Sequence, residues 1–381
     1  MKKIKMILGN SFKSDIRVLK EARTLVQNGY EVEVLAWDRE NELLNKEYEE
    51  IDGIKIKRFF PKAKYGSGKK QIFSFIKFIF EVKKYLKNKE FDYLHCHDLD
   101  GLIVGYVIKK EKHKLIYDSH EFFAGYKNMK IDKKIYYLEK ILLKKVSEII
   151  SVSESICGEM KKIYKLKKNP ILLRNIPYYY PIDKKQNLLR KEFGISDEKK
   201  ILLYQGVFIS GRGIEEIIKL LKDLPQIFVL VLIGKGREKL KILEMIEKEK
   251  LKNRVYIKDF VSNDILLNYT NSADIGILLP PKTSLSYWYS LPNKIFEFIQ
   301  GEIPICCNEF PEIKKLIEEN QFGISIDINN SMEIEKKILD LLKNHKNKIE
   351  RIKKFKGKFC WEKEEKKLLK LYKNLNLEER D

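Results

Sequence analysis

Residues 91–118, FDYLHCHDLDGLIVGYVIKKEKHKLIYD, hold two apolar runs on either side of a helical segment. FDYLHC (91–96) and KLIYD (114–118) read as strands, and 99–110 as the helix between them. Strands joined by a helix of this length pair in parallel through a right-handed crossover. The same unit extends both ways. Upstream, Lys5–Leu8 is an apolar run followed by a Gly-Asn-Ser loop. Ile16, Leu19, Ala22, Arg23 and Leu25–Val26 then fall at helical spacing, Asn28-Gly29 stops that helix, and Val32–Ala36 is the next strand. Downstream come a helix at about 131–146 and the strand EIISV (148–152).

A second series begins after Pro181. ILLYQG (201–206) is a strand, 214–222 a helix, FVLVLIGKG (228–236) a buried strand and 237–249 a helix, followed by the strands VYIKDF, ADIGIL and IPICC. RNIPYYYPIDKKQ (174–186) has two prolines and no period, so it marks a boundary. The expected organisation is a domain over 1–180, a second over 187–355, and a helix over 356–381 packing back on the first. Trp361, Leu368, Leu369 and Tyr372 form that helix's apolar stripe. The fold class is α/β: two Rossmann-like, doubly wound domains facing across a cleft, with ligands expected where the carboxyl ends of the strands gather.

A length of 381 residues suits two cores rather than one. The apolar content of 44% and aromatic content of 11% exclude a disordered chain. No apolar run approaches the roughly 18–20 residues that span a bilayer. Lys2, Lys3 and Ile4 lead into the first strand without a small-residue cleavage site, so no secretory leader is expected. Five cysteines without framework spacing argue for a reducing compartment, and Cys306-Cys307 read as core. The expected location is the cytoplasm. A net charge of +21, mostly lysine, favours polyanionic partners without choosing among nucleic acid, anionic lipid and phosphorylated substrate.

Several groups carry chemistry. Gly9, Gly206, Gly234 and Gly236 end strands, where a glycine lets backbone approach a ligand and the next helix N-terminus favours negative charge. The ordinary alternative is a tight turn, and the GxG of residues 234–236 is not a dinucleotide fingerprint. In SGRGIEEI (210–217), Arg212 lies between two glycines before a helix, and its guanidinium fork suits a diphosphate. LPNKIFEFIQGEIPI (291–305) places Lys294 and Glu297 on one face of a short, otherwise apolar helix. They either pair with each other or hold a polar ligand. HCHDLD (95–100) and YDSHEF (117–122) hold three of the five histidines. His95 reads as core, while His97 and His120 read as loop residues facing the cleft. His97, Asp98 and His120 invite a metal reading, but their spacing fits no closed zinc site. Contact with substrate is the preferred reading, and no metal is expected.

Taken in order, these segments resemble a glycosyltransferase of the GT-B fold, in the retaining group called family 4. The stretches are SFKSDIRVLKEARTLVQNGYEVEVLAWD, LHCHDLDGLIVGYVIKK, KLIYDSHEF, SVSESICGEM, YQGVFISGRGIEEII, VLIGKG, ADIGIL, LPNKIFEFIQGEIPI and FCWEKEEKKLLKLY. The resemblance covers nearly the whole chain. It implies a nucleotide-sugar donor bound in the C-terminal domain and an acceptor in the N-terminal one, with the nucleotide-sugar a substrate and no cofactor. Arg212 and Lys294 match the cations that contact the diphosphate. Glu297 matches the later Glu of the E-x7-E pair, which contacts the ribose, and a carboxylate suits two hydroxyl donors. Gly206, Gly213, Gly234, Gly236 and Asn293 fall on the donor side. Gly9, Asn10, Asp15, Arg17, His97 and Asp98 fall on the acceptor side, and His120 matches the histidine near the reacting sugar. The chain departs from the pattern at Tyr289, where the earlier Glu would stand. That puts the sugar contact in question. A sugar-nucleotide 2-epimerase and a non-catalytic relative are the alternatives within the fold.

KKQIFSFIKFIFEVKKYLKNK (69–89) and roughly 130–145 read as basic amphipathic helices of the first domain. Their lysines either snorkel from ordinary packed helices or dock on anionic lipid, which would suit a lipid-linked acceptor and a peripheral position on the inner face of the cell membrane. A nucleic-acid partner is not expected: the basic residues are spread over many helices and no finger or RNA-binding signature appears.

Overall fold

The computed structural model describes residues 1–13, 15–64, 68–328 and 330–377. They form two units, Met1–Arg174 with the segment from Glu364 onward, and Asn175–Lys363. Each is a Rossmann-like α/β layer structure.

In the first unit the strands are β1 (Lys3–Leu8), β2 (Glu31–Trp37), β3 (Tyr48–Ile51), β4 (Ile54–Phe59), β5 (Tyr93–His97), β6 (Lys114–Ser119), β7 (Glu148–Ser151) and β8 (Ile171–Leu172). They lie in the order β3-β4-β2-β1-β5-β6-β7-β8. The central strands are buried along nearly their whole length, as a parallel sheet covered on both faces requires. Helix α1 (Ile16–Gln27) joins β1 to β2, its N-terminus capped by the Asp15 side chain accepting from the Val18 amide at 3.2 Å. Helices α2 (Ile72–Leu86), α3 (Asp98–Ile108) and α4 (Lys133–Leu142) make the successive crossovers to β5, β6 and β7, and α5 (Glu154–Tyr164) leads to β8. The order reverses between β1 and β5, so the ends of these strands form the unit's switch point.

The sequence reading passes over β3 and β4, the antiparallel pair. Their turn is Asp52-Gly53, with φ of 52° and 78°. Two successive positive φ values are those of a type I′ hairpin, which selects Asp-Gly. That signal was present in the sequence.

In the second unit, β9 (Lys200–Gln205), β10 (Phe228–Ile233), β11 (Val255–Lys258), β12 (Ile275–Leu278), β13 (Ile305–Asn308) and β14 (Gly323–Ile326) form a parallel sheet in the order β11-β10-β9-β12-β13-β14. Its helices include α6 (Leu188–Phe193), α7 (Ile214–Asp223), α8 (Lys239–Lys248), α9 (Asn263–Asn271), α10 (Leu285–Trp288) and α11 (Asn293–Gln300). Gly194, at φ 63°, ends α6 in the left-handed conformation. Helices α12 (Pro311–Glu319), α13 (Ser331–Lys343) and α14 (His345–Phe355) follow. Cys306 and Cys307 are fully buried in β13, as expected of core. The switch point here lies between β9 and β12.

Helix α15 (Trp361–Leu377) returns the chain to the first unit. The Tyr372 ring packs against Tyr30 and Tyr93 at centroid distances of 5.3 and 5.2 Å. Leu368, Leu371, Tyr372 and Leu375 are buried, whereas Leu369 is half-exposed. The helix's inner stripe thus runs through 371 and 375 rather than through 369.

Candidate functional site

The first group of site residues lies at the switch point of the second unit. β9 ends in Gln205, and Gly206 follows at φ 152°. A Cβ built on Gly206 would lie 3.2 Å from the Tyr204 hydroxyl and 3.6 Å from Lys294 Cε, which places both side chains at this strand end. Helix α11 starts at Asn293, and neither it nor α7 has a side-chain cap. Their first amides are therefore not taken by capping side chains. Lys294 Nζ donates to both Glu297 oxygens, at 3.0 and 3.1 Å. The two residues pair with each other, as their spacing allowed. Glu297 also accepts from Gln205 Nε2, and Gln205 Oε1 accepts from Thr270 Oγ1 at 2.8 Å. A buried polar chain thus fixes the Glu297 carboxylate.

Arg212 precedes α7 in the loop after β9. Its guanidinium carbon lies 5.6 Å from the centre of the Tyr287 ring. Burial holds the Tyr204 phenol above its ordinary range, with Arg212 pulling the other way, so the guanidinium is within electrostatic reach of the strand end. A cavity of about 160 Å³ lies beside Arg212, Gly211 and Thr283. A larger one, about 710 Å³, is lined by residues such as Lys219, Trp288 and Phe310, and Lys294 and Glu297 do not line it.

Three glycines serve close backbone approach within the protein. A Cβ on Gly213 would come 2.1 Å from Leu279 O, on Gly234 1.8 Å from Gly206 O, and on Gly236 2.2 Å from Phe208 O. These positions lock the loops after β9, β10 and β12 together, and any ligand contact they make is by backbone. Tyr289 caps the end of α10, its amide bonded to Leu285 O at 3.0 Å.

The second group lies at the switch point of the first unit, and its centre is Asp118. Parallel pairing puts His97 beside Asp118 in register. Arg17, on α1, grips Asp118 with Nε at 2.9 Å and Nη2 at 2.7 Å, while Nη1 donates to Leu173 O at 2.8 Å. His120 Nε2 is 3.0 Å and His97 Nδ1 3.2 Å from Asp118 Oδ2. On its other side, His120 Nδ1 is 3.4 Å from Asp98 Oδ2, and its amide donates to Asp98 Oδ1 at 3.0 Å. Burial opposes a charge on His120, but Asp98 and then Asp118 outweigh it and push the imidazole up to about 10. His120 is therefore an imidazolium at neutral pH, held between two carboxylates rather than poised as a base.

Glu21, one turn after Arg17, is fully buried. Burial and then the neighbouring Asp118 push its carboxyl up to about 8 against the pull of Arg17. His95 is core, as expected: its Nδ1 is 2.9 Å from the Tyr372 hydroxyl and its ring stacks on His97 at 4.5 Å. His97 is a correction. It ends β5 and is buried, because its register against Asp118 turns the ring into the polar core rather than outward. Asp15 and Asn10 also have local work. Asn10 donates to Asp15 Oδ2 at 3.0 Å and accepts from the Phe12 amide at 2.9 Å, so both shape the loop after β1. A Cβ on Gly9 would lie 2.8 Å from Asp100 Oδ2.

Glu21, His95, His97 and Asp118 bring one ligand atom each within 4.8 Å of one another, the one such group among the described residues. This differs from the His97, Asp98 and His120 set considered from sequence. A cation already stands there. Arg17 Nε is 3.1 Å from Glu21 Oε1, and its Nη2 grips Asp118, so a divalent ion would be added against a fixed guanidinium. Sequence reasoning missed Glu21, Gln205 and Thr270. Gln205 had a signal, being the polar residue that ends ILLYQG. No helix among the described residues is long and apolar enough to cross a membrane.

Comparison with known proteins bears on the family and the fold. Residues 16–173 match the Glycosyltransferase Family 4 model, and 185–359 match Glycosyl transferases group 1. An uncharacterized 41.2 kDa protein in the cps region of Klebsiella pneumoniae is 26% identical over 279 residues, covering 69% of this chain and 72% of that one. Among solved structures, the sucrose-phosphate synthase of Thermosynechococcus elongatus superposes with a TM-score of 0.80 at 17% identity, over 99% of this chain and 100% of the other. HepE of Anabaena, solved with UDP and glucose, gives 0.75 at 14% identity, over 98% and 100%. The chain is a glycosyltransferase of the GT-B fold.

Proposed function

We propose that the enzyme moves a sugar from a nucleotide-sugar donor to a hydroxyl acceptor with retention of anomeric configuration, in the synthesis of a cell-surface polysaccharide or glycolipid. The observation that carries this reading is the convergence at the end of β9. Lys294 lies beside Gly206 and pairs with the Glu297 carboxylate, which Gln205 holds at the strand end, and Arg212 follows on the same loop. On this reading the donor exchanges the Lys294–Glu297 pair for two better contacts: ammonium to phosphate and carboxylate to ribose hydroxyls. The bond from the anomeric carbon to the phosphate oxygen breaks as the acceptor oxygen attacks from the same face. The departing diphosphate takes the acceptor's proton. Fixed cations stabilise the charge growing on it, so no metal is required. The HepE complex with UDP and glucose supports a donor of this chemistry. The acceptor in this reading is a glycan or lipid-linked hydroxyl, reached at the inner face of the cell membrane.

A panel of nucleotide-sugars tests the reading. The cognate donor should raise the thermal midpoint and release nucleoside diphosphate faster with acceptor, and the product should keep the donor's anomeric configuration. An epimerised sugar nucleotide would identify a 2-epimerase. Binding without release would identify a non-catalytic relative, in keeping with Tyr289. Glu297→Ala should weaken donor affinity about tenfold to a hundredfold, the range of a lost hydrogen bond to a charged group. Calorimetric titration with the donor checks this, and unchanged affinity would move the ribose site elsewhere.

A further inference from the structure

The crossovers after β4, β5 and β6 lay α2, α3 and α4 side by side, with α2 packed on α3 and α3 on α4. Phe78, Val82 and Leu86 turn α2 toward the core. The opposite side of α2 is also apolar. Phe73 is 83% exposed and Phe80 65%, with Ile72 and Ile76 exposed beside them. Phe73, Lys77, Phe80 and Lys84 follow at helical spacing along that outer line. Helix α4 repeats the pattern: Tyr137 is 59% exposed, Leu138 and Ile141 are exposed, and Lys133, Lys134, Lys140 and Lys144 surround them. Acids are scarce here. Glu139 is buried, accepting from Tyr117 and Tyr164, and Glu81 lies 3.9 Å from Lys77.

We infer that this layer is a docking face for an anionic bilayer, with Phe73, Phe80, Tyr137 and Ile141 entering the headgroup boundary and the lysines meeting lipid phosphates. Charge complementarity selects the partner. A surface with basic and apolar side chains interleaved, and almost no exposed acid on α2 and α4, matches a medium that is negative outside and apolar just beneath. A nucleic acid would satisfy the lysines and leave Phe73 and Phe80 in water. The inference deepens the reading of a lipid-linked acceptor but stands on this surface alone.

Cosedimentation with vesicles tests it without reference to catalysis. The full chain should bind vesicles of phosphatidylglycerol and phosphatidylcholine at low salt and bind pure phosphatidylcholine at least tenfold more weakly. Phe73→Ser with Phe80→Ser should weaken binding at least tenfold at an unchanged thermal midpoint, and Lys84→Glu with Lys144→Glu should do so through charge. Diphosphate release with a soluble acceptor should be unchanged in both. Absence of vesicle binding, equal binding to neutral vesicles, or binding of a single-stranded oligonucleotide in preference to anionic vesicles would overturn the inference. So would serine variants that bind as well as the native chain. Failure of glycosyl transfer with vesicle binding intact would count against the proposed reaction and leave the docking face standing.

Discussion

Arg212→Ala should lower kcat by about 10²- to 10³-fold, the range seen when one preorganised donor to a developing oxyanion is removed. In the proposed reaction the negative charge on the diphosphate grows as the glycosidic bond breaks, so a guanidinium aimed there contributes more in the transition state than in the ground state. Arg212 stands in a glycine-flanked loop beside the first amides of α7, with the Tyr287 ring within 5.6 Å of its guanidinium carbon. Arg212→Lys should fall between the two, keeping the charge and losing the planar fork. Steady-state release of nucleoside diphosphate measures both. Full turnover in Arg212→Ala would place the departing group somewhere else.

The second large effect concerns stability. Asp118→Asn should cost about 3–5 kcal/mol, because it takes from the buried Arg17 guanidinium the carboxylate that it grips with two nitrogens. Its pH dependence has a definite sign. Burial would raise the Asp118 carboxyl, but Arg17 and then His120 hold it well below its ordinary range. Its contribution is therefore present above the unfolded value of about 3.9 and is lost as pH falls through the folded one. Glu21 and His120 act oppositely. Their folded values, about 8 and about 10, lie above the unfolded ones. Their contributions are complete below about 4.3 and about 6.5 and are lost as pH rises through about 8 and about 10. Thermal midpoints should therefore fall as pH rises from roughly 4.3 to 10, Glu21 acting over the lower part and His120 over the upper. Glu21→Gln, neutral throughout, should flatten the part of that fall below about pH 8. An alkaline limb identical in Glu21→Gln and the native chain would mean that Glu21 is ionised in the fold.

Much of the fold was legible because its elements announce themselves locally. FDYLHC and ILLYQG are mostly apolar and FVLVLI wholly so, and α1 and α7 carry clean helical periods. The β3–β4 hairpin was missed because it interrupts the strand–helix alternation that made the rest readable. The Lys294–Glu297 pair was legible from its spacing. The Asp118 centre was not, since it depends on register: only pairing of β5 with β6 brings His97 to Asp118, and only the packing of α1 brings Arg17 and Glu21. Sequence separation hides such contacts. His97 was misplaced for the same reason, since the end of a strand and the start of a loop look alike until the neighbouring strand is in position.

The helix that returns the chain to the first unit has a consequence for biogenesis. Tyr372 completes the environment of His95, and Asn376 donates to the Tyr30 hydroxyl at 3.0 Å. Thr24 donates to Glu365 at 3.0 Å, across 341 residues of chain. During synthesis the β1–β8 sheet emerges first yet waits uncovered along this flank until α15 clears the ribosome. The N-terminal half is thus the earlier to be made and the later to be finished, and its unshielded aromatic surface is where chaperones would be most needed.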